Sequence, residues 1–204
     1  MEVKDRFIIL RKMKYGEADL IIHALSPLGE KLSFIARSAL RSKKRFGGGV
    51  LEPSHFVQFT YKQAKSTSEG SLNTLNEATL LNDFRGIRKD YDHLELALHI
   101  LDCIARVCQE GDRNSEAIFN LLGNTLKALE NSDDVKLLRM LFYLKLLNQQ
   151  GVLTVEPWMS PFLQVSMAEI NTLTENGDAQ KAASLHLSHI ESATHQYIKT
   201  AEHH

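Results

Sequence analysis

Five cations fall within nine residues in Arg37-Ser38-Ala39-Leu40-Arg41-Ser42-Lys43-Lys44-Arg45, and Phe46 and three glycines, Gly47–Gly49, follow. Cations at 37, 41, 43, 44 and 45 face several directions in any regular structure. The tract is therefore expected to be an exposed loop whose charges follow a phosphate backbone. Ser38 and Ser42 can add hydrogen bonds to phosphate oxygens. Lys12, Lys14, Lys62 and Lys65, on or near other apolar runs, could extend the same positive surface. Tyr15, Phe46, Phe59 and Tyr61 are candidate base-stacking groups, with Phe46 best placed inside the basic tract and Phe59 also readable as core. The plainer reading of the tract is a solubilising loop.

Other chemistries find less support. Gly47–Gly49 follow the cations and do not open a helix, and neither G-x-x-x-x-G-K-[ST] nor G-x-G-x-x-G is present, so ATP or dinucleotide binding is not expected. The glycines read as a hinge or close-approach turn. Cys103 and Cys108, five apart on a predicted helix, are separated by about 140° around its axis and cannot readily grip one metal. His99 with Cys103, and His186 with His189, have spacings that supply two ligands each, but neither pair has an evident third. His203 and His204 form a terminal tail and are set aside. No metal site and no cofactor are expected. Asp133-Asp134 reads as helix capping, and Glu17 with Asp19 as a turn pair, so acid–base work is not assigned to either. No nucleophile motif occurs, and the chain is not expected to be an enzyme.

The elements that must position these residues change character along the chain. Arg6–Met13, Asp19–Ser26, Lys31–Arg37, His55–Tyr61 and Leu72–Leu75 with its flanks are short apolar runs that read as five strands. Pro27-Leu28-Gly29-Glu30 joins two of them as a tight turn. Five short strands without intervening helices favour a small closed antiparallel barrel of the OB-fold type. From about residue 83 the apolar period becomes helical. In Tyr91–Gln109 the residues Leu94, Leu98, Leu101, Ala105 and Cys108 form the expected buried face, and in Ser115–Leu129 the residues Ile118, Leu121, Leu122, Thr125 and Leu129 do so. Asp133–Gln150 is apolar on more than one side and is placed at the centre of a bundle, capped by Ser132, Asp133 and Asp134 and stopped by Gly151. Ser166-Met167-Ala168-Glu169 fits a capping box, and Ala179–Ala201 supports a final helix. The fold class is thus α+β multidomain, with an OB-fold over residues 1–80 and an α-helical bundle over 81–204.

Charge divides the same way. Residues 1–80 hold 13 Lys and Arg against 8 Asp and Glu, and residues 81–204 hold 11 against 17, so a +5 portion precedes a −6 portion. Such asymmetry points to a polyanion-binding part joined to one with another task. At 204 residues and 43% hydrophobic the chain can bury a real core. Two cysteines exclude a disulfide framework, and no window approaches the roughly 20 apolar residues of a membrane span. The charged opening Met1–Arg6 lacks the apolar core of a secretory signal, so a cytoplasmic, nucleoid-associated protein is expected.

Tyr15-Gly16-Glu17-Ala18-Asp19-Leu20-Ile21, Gly29-Glu30-Lys31-Leu32, Ala36-Arg37 leading into the basic tract, Leu51-Glu52-Pro53 and Leu72-Asn73-Thr74-Leu75-Asn76-Glu77-Ala78 resemble, in order and spacing, the RecO family of bacterial recombination mediators and strand-annealing proteins. The resemblance covers about residues 1–150 and thins beyond. It implies an N-terminal OB-fold, a helical domain, binding to single- and double-stranded DNA, annealing of complementary strands, and help in loading recombinase onto DNA coated by single-stranded-DNA-binding protein (SSB). It implies RecR and the acidic tail of SSB as partners. Carried over by position, Arg37, Arg41, Lys43, Lys44 and Arg45 are phosphate contacts. Lys136, Arg139 and Lys145, with Arg106 and Arg113 as alternatives, are candidates for the SSB tail. Many members insert a four-cysteine zinc module where this chain has Gly151–Pro161, which contains no cysteine. Two other readings stay open: a helical adaptor whose OB-like domain binds RNA or protein, and a metal-dependent hydrolase.

Overall fold

A computed structural model of the chain describes residues 2–64, 71–108, 116–174 and 177–201. Lys65 and Arg113 lie outside the described residues. The chain divides into two compact units, Met1–Phe84 with Ile100–Phe119, and Arg85–His99 with Asn120–His204.

In the first unit the five expected strands form as β1 (Glu2–Tyr15), β2 (Asp19–Leu25), β3 (Lys31–Ala36), β4 (Phe56–Lys62) and β5 (Asn73–Asn82). They close into a barrel in the order β1-β2-β3-β5-β4, with β4 returning to β1, as in an OB-like barrel. One pairing departs from the antiparallel expectation: β3 and β5 run parallel, with Phe34 opposite Asn73 and Ile35 opposite Thr74. The reason is parity, because a closed ring of five strands cannot alternate direction at every step.

β1 serves two neighbours. Glu2–Ile8 pairs with β4 and Ile8–Tyr15 with β2, and a register irregularity between Ile9 and Arg11 marks the transfer. Its alternation turns Phe7 and Ile9 into the barrel, where Phe7, Phe34, Phe59 and Tyr61 pack with ring centroids 5.1 to 5.9 Å apart. Mostly edge-to-face contacts of this kind add to the area that the rings remove from water. Burial, with help from Asp5 and Glu30, pushes the Tyr61 hydroxyl above its ordinary pKa. Ile8 is buried too, and its partner Phe56 meets Phe119, ring centroids 6.2 Å apart. Cover on the outer face explains why this stretch of β1 reads as an apolar run without alternation. The Pro27–Glu30 turn is closed by hydrogen bonds from Gly29 N to Ser26 O and from Ser26 N to Glu30 O, both 2.9 Å, with Gly29 at φ 76°.

The helices are α1 (Tyr91–Val107), α2 (Glu116–Asn131), α3 (Val135–Gln149), α4 (Ser160–Gln164), α5 (Ile170–Thr174) and α6 (Asp178–Ala201). α3 buries residues on every side, from Leu137 and Met140 to Phe142, Tyr143 and Leu147, and packs on α6. Asp134 caps it by accepting from Leu137 N at 2.9 Å, and Gly151 leaves the helix at φ 68°. Ser166 N donates to Glu169 Oε2 at 2.9 Å, as the capping-box spacing requires, and these bonds hold the Glu169 carboxyl below its ordinary pKa. The face expected of α1 holds at Leu101 and Cys108, both buried, and is corrected nearer its start. Leu94 and Leu98 are 37% and 48% exposed, while His93, Leu96, Ala97, Ile100, Ile104 and Val107 are buried. Two apolar stripes compete on this helix, and the broader one wins the core.

Candidate nucleic-acid interface

The segment between β3 and β4 carries the basic tract, and three sets of contacts pin it. Where it leaves β3, Ser38 adopts a left-handed conformation (φ 54°) and donates its N–H to Asp19 Oδ1 at 2.7 Å, and Leu40 N donates to Ala18 O at 3.0 Å. Glu17 stands 3.6 Å from Arg41, both largely exposed, a contact of little energy. The β1–β2 turn therefore anchors the start of the loop, which is what Glu17 and Asp19 do there. In the middle, Arg45 O accepts from Ala78 N of β5 at 3.2 Å, and Arg45 Nη2 donates back to Arg37 O at 3.0 Å. At the end, Phe46, Val50 and Leu51 insert into the barrel core.

Arg37, Arg41, Lys43, Lys44 and Arg45 are all exposed. The structure brings these five together on one anchored loop. Among the described residues no carboxylate lies within ion-pair distance of Lys43 or Lys44. The stacking assignments change. Phe46 is 6% exposed and sits beneath the Arg45 guanidinium, 5.1 Å from its ring centroid, while Phe59 and Tyr61 lie in the barrel core. Phe46 is the plug that holds the loop, and only Tyr15 of the four presents an exposed ring, at 54%. The glycines make no close approach, since a Cβ on Gly47 or Gly48 would meet nothing within 4 Å; Gly48 and Gly49 instead take φ 68° and 70° to turn the chain after Phe46.

The outlying lysines divide. Lys12 is ion-paired to both Glu52 oxygens at 2.6 Å, in the wall of a cavity of about 340 Å³ that Lys43, Ser42 and Phe46 also line, so its charge is largely matched. Lys14 is exposed near the β1–β2 turn that holds the loop. Lys62 points outward on β4 with Glu2 opposite, three residues from Phe59, the partner of Ala78, so about 10 Å of strand separates it from the loop's anchor.

In the helical unit the three residues proposed for an acidic tail do not form one exposed rim. Lys136 is exposed. Arg139 is engaged by Glu95 and by Glu191, the latter at 3.4 Å. Lys145 is half-buried, donates to Leu163 O at 3.4 Å, and has its pKa lowered by that burial. Arg106 pairs with Asp102 at 3.6 Å. A helix that supplies the centre of a bundle turns most of its cations into internal contacts, which the one-dimensional grouping of Lys136, Arg139 and Lys145 does not reveal.

One histidine of each metal pairing read from sequence has an aromatic neighbour. His186 stacks on Trp158, centroids 4.0 Å apart and planes 7° apart, and His99 Nε2 lies 2.5 Å from Tyr143 Oη. Cys103 and Cys108 are both buried, and Gly151–Pro161 offers no cysteine, so these residues do not fit a four-cysteine zinc module. The structure instead groups His99 with Glu191 and His195, one ligand atom of each within 4.8 Å of the others, and the i,i+4 spacing of Glu191 and His195 was the signal available in the sequence.

Residues 1–84 match the family model described as Recombination protein O N terminal, and residues 88–154 the one described as Recombination protein O C terminal. The chain is 32% identical over 151 residues to a protein of Maridesulfovibrio salexigens named DNA repair protein RecO, covering 74% of this chain and 59% of that one. A protein of the same name from Alkaliphilus metalliredigens is 29% identical over 153 residues, with the same coverages of 74% and 59%. One from Desulfatibacillum aliphaticivorans is 34% identical over 149 residues, covering 71% and 55%. The chain thus spans less than two thirds of the length of these relatives.

Proposed function

The chain belongs to the RecO family, and from that premise we propose that it is a DNA repair and recombination mediator that binds single- and double-stranded DNA, anneals complementary strands and helps load recombinase onto SSB-coated DNA. The observation that carries this reading is the anchored loop of five exposed cations on an OB-like barrel. Arg37, Arg41, Lys43, Lys44 and Arg45 bind phosphates without reading bases, because a guanidinium or ammonium on the backbone carries no sequence information. Lys14 extends this surface. Annealing needs no covalent step: two complementary strands repel, and a surface that neutralises both releases counterions and lowers the cost of their encounter. The pinning of the loop at Asp19, Ala78 and the barrel core keeps its cations in place before DNA arrives, so less ordering cost opposes binding.

RecR and the acidic SSB tail are the proposed partners. Lys136, the exposed member of its group, is the residue of the helical unit best suited to an acidic peptide, while Arg139 and Lys145 act inside the unit. An annealing assay with labelled complementary oligonucleotides, bare and SSB-coated, tests the proposal. The chain should accelerate annealing in both. No acceleration of DNA annealing, together with binding to RNA alone, would replace this reading with an RNA-binding adaptor.

A further inference from the structure

We propose that His99, Glu191 and His195 form a site for one borderline divalent transition-metal ion of the Zn2+ class, separate from the DNA surface. One ligand atom from each lies within 4.8 Å of the others. All three residues belong to the same compact unit. His99 comes from α1, and Glu191 and His195 lie one turn apart on the same side of α6. Two imidazoles and one carboxylate suit Zn2+ and its neighbours better than Mg2+ or Ca2+, which prefer all-oxygen sites.

The geometry is within reach of an ion. Tetrahedral Zn2+ with bonds of about 2.0–2.2 Å holds its donors about 3.4 Å apart, so no pair has more than about 1.4 Å to close. His195 is exposed and can supply that movement by rotating its side chain. The surroundings already orient the donors. Tyr143 Oη donates to Glu191 Oε1 at 3.3 Å and so accepts the Nε2–H of His99, 2.5 Å away, which leaves Nδ1 as the ligating nitrogen of His99 and lets one hydroxyl tie two ligands from different helices together. Arg139 is the feature that opposes a cation, at 3.4 Å from Glu191 Oε1. Glu95 takes its closer contact, and Glu95 and Glu191 together outweigh its single charge. A bound ion would fasten α6 to α1.

The experiment uses the full chain carrying His203→Ala/His204→Ala, which removes the tail imidazoles, stripped with chelator and titrated with Co2+ alone and with Zn2+ alone. The expected result is saturation at one ion per chain, visible Co2+ absorption, and a higher Tm with Zn2+. His195→Ala and Glu191→Gln should each weaken binding by more than about tenfold, Tyr143→Phe by about tenfold, and His186→Ala/His189→Ala not at all. His195 is exposed, so its variant keeps the fold, checked by circular dichroism. Absence of stoichiometric binding, binding that survives His195→Ala, or binding lost in His186→Ala/His189→Ala would each overturn the proposal.

Discussion

Lys43 and Phe46 lie three positions apart in one loop, yet the lysine is exposed and the phenylalanine is 6% exposed within the barrel core. Phe46→Ala should therefore cost about 3–5 kcal/mol of stability, read from the denaturant midpoint, because it empties a packed site. Phe46→Leu, which keeps most of the volume, should leave single-stranded DNA affinity within about twofold, whereas a stacking role for Phe46 would lose binding by the energy of a base–aromatic stack, about 1–3 kcal/mol. The cations of this loop were legible in the sequence because five charges so close together cannot all be buried. The role of Phe46 was not, because loops have no period from which to tell an inward residue from an outward one. Lys12 failed for a related reason: Glu52, its partner at 2.6 Å, is 40 residues away in sequence. His99 likewise meets Glu191 and His195 only through the packing of distant helices.

At the scale of elements, the five strands and the principal helices could be read from apolar spacing, and the caps at Asp134 and Ser166 from residue type. The face of α1 could not, since its sequence supports two stripes and only the neighbours select one. The start of that helix gives a pH prediction. Asp90 Oδ1 accepts from the His93 backbone N–H at 3.0 Å and from the His93 ring at 2.7 Å, and these bonds hold its carboxyl below the ordinary aspartate pKa. A depressed folded value means that its contribution is complete above the ordinary value near about 4 and is lost as pH falls through the lowered one. Asp90→Ala should accordingly lower Tm at neutral pH and make the fall of Tm in acid shallower, checked by thermal melts from neutral to acid pH. Equal displacement of the two curves at every pH would remove the carboxylate from that account. A steric prediction concerns Gly86, where an added Cβ would stand 2.6 Å from Glu130 O on α2. Gly86→Ala should cost about 1–3 kcal/mol, measured by chemical denaturation, because a backbone carbonyl in a helix cannot move aside cheaply.

Across the whole molecule, the division between a basic first part and an acidic remainder matches the division of work proposed above, with phosphate contacts on the barrel and partner contacts among the helices. The sign of the charge was legible by counting. Its arrangement on an anchored loop was not, because the anchors at Asp19 and Ala78 are a strand turn and a strand edge distant in sequence. Phosphate binding by Lys43 and Lys44, as proposed, would be read in the salt dependence of single-stranded DNA affinity. Measured over a range of salt concentrations, Lys43→Ala/Lys44→Ala should bind more weakly to every sequence and show a log K versus log[salt] slope smaller in magnitude by about 1.4, the value for two lost contacts on a single strand. A folded double variant with an unchanged slope would mean that Lys43 and Lys44 touch no phosphate and that the DNA lies elsewhere on the protein.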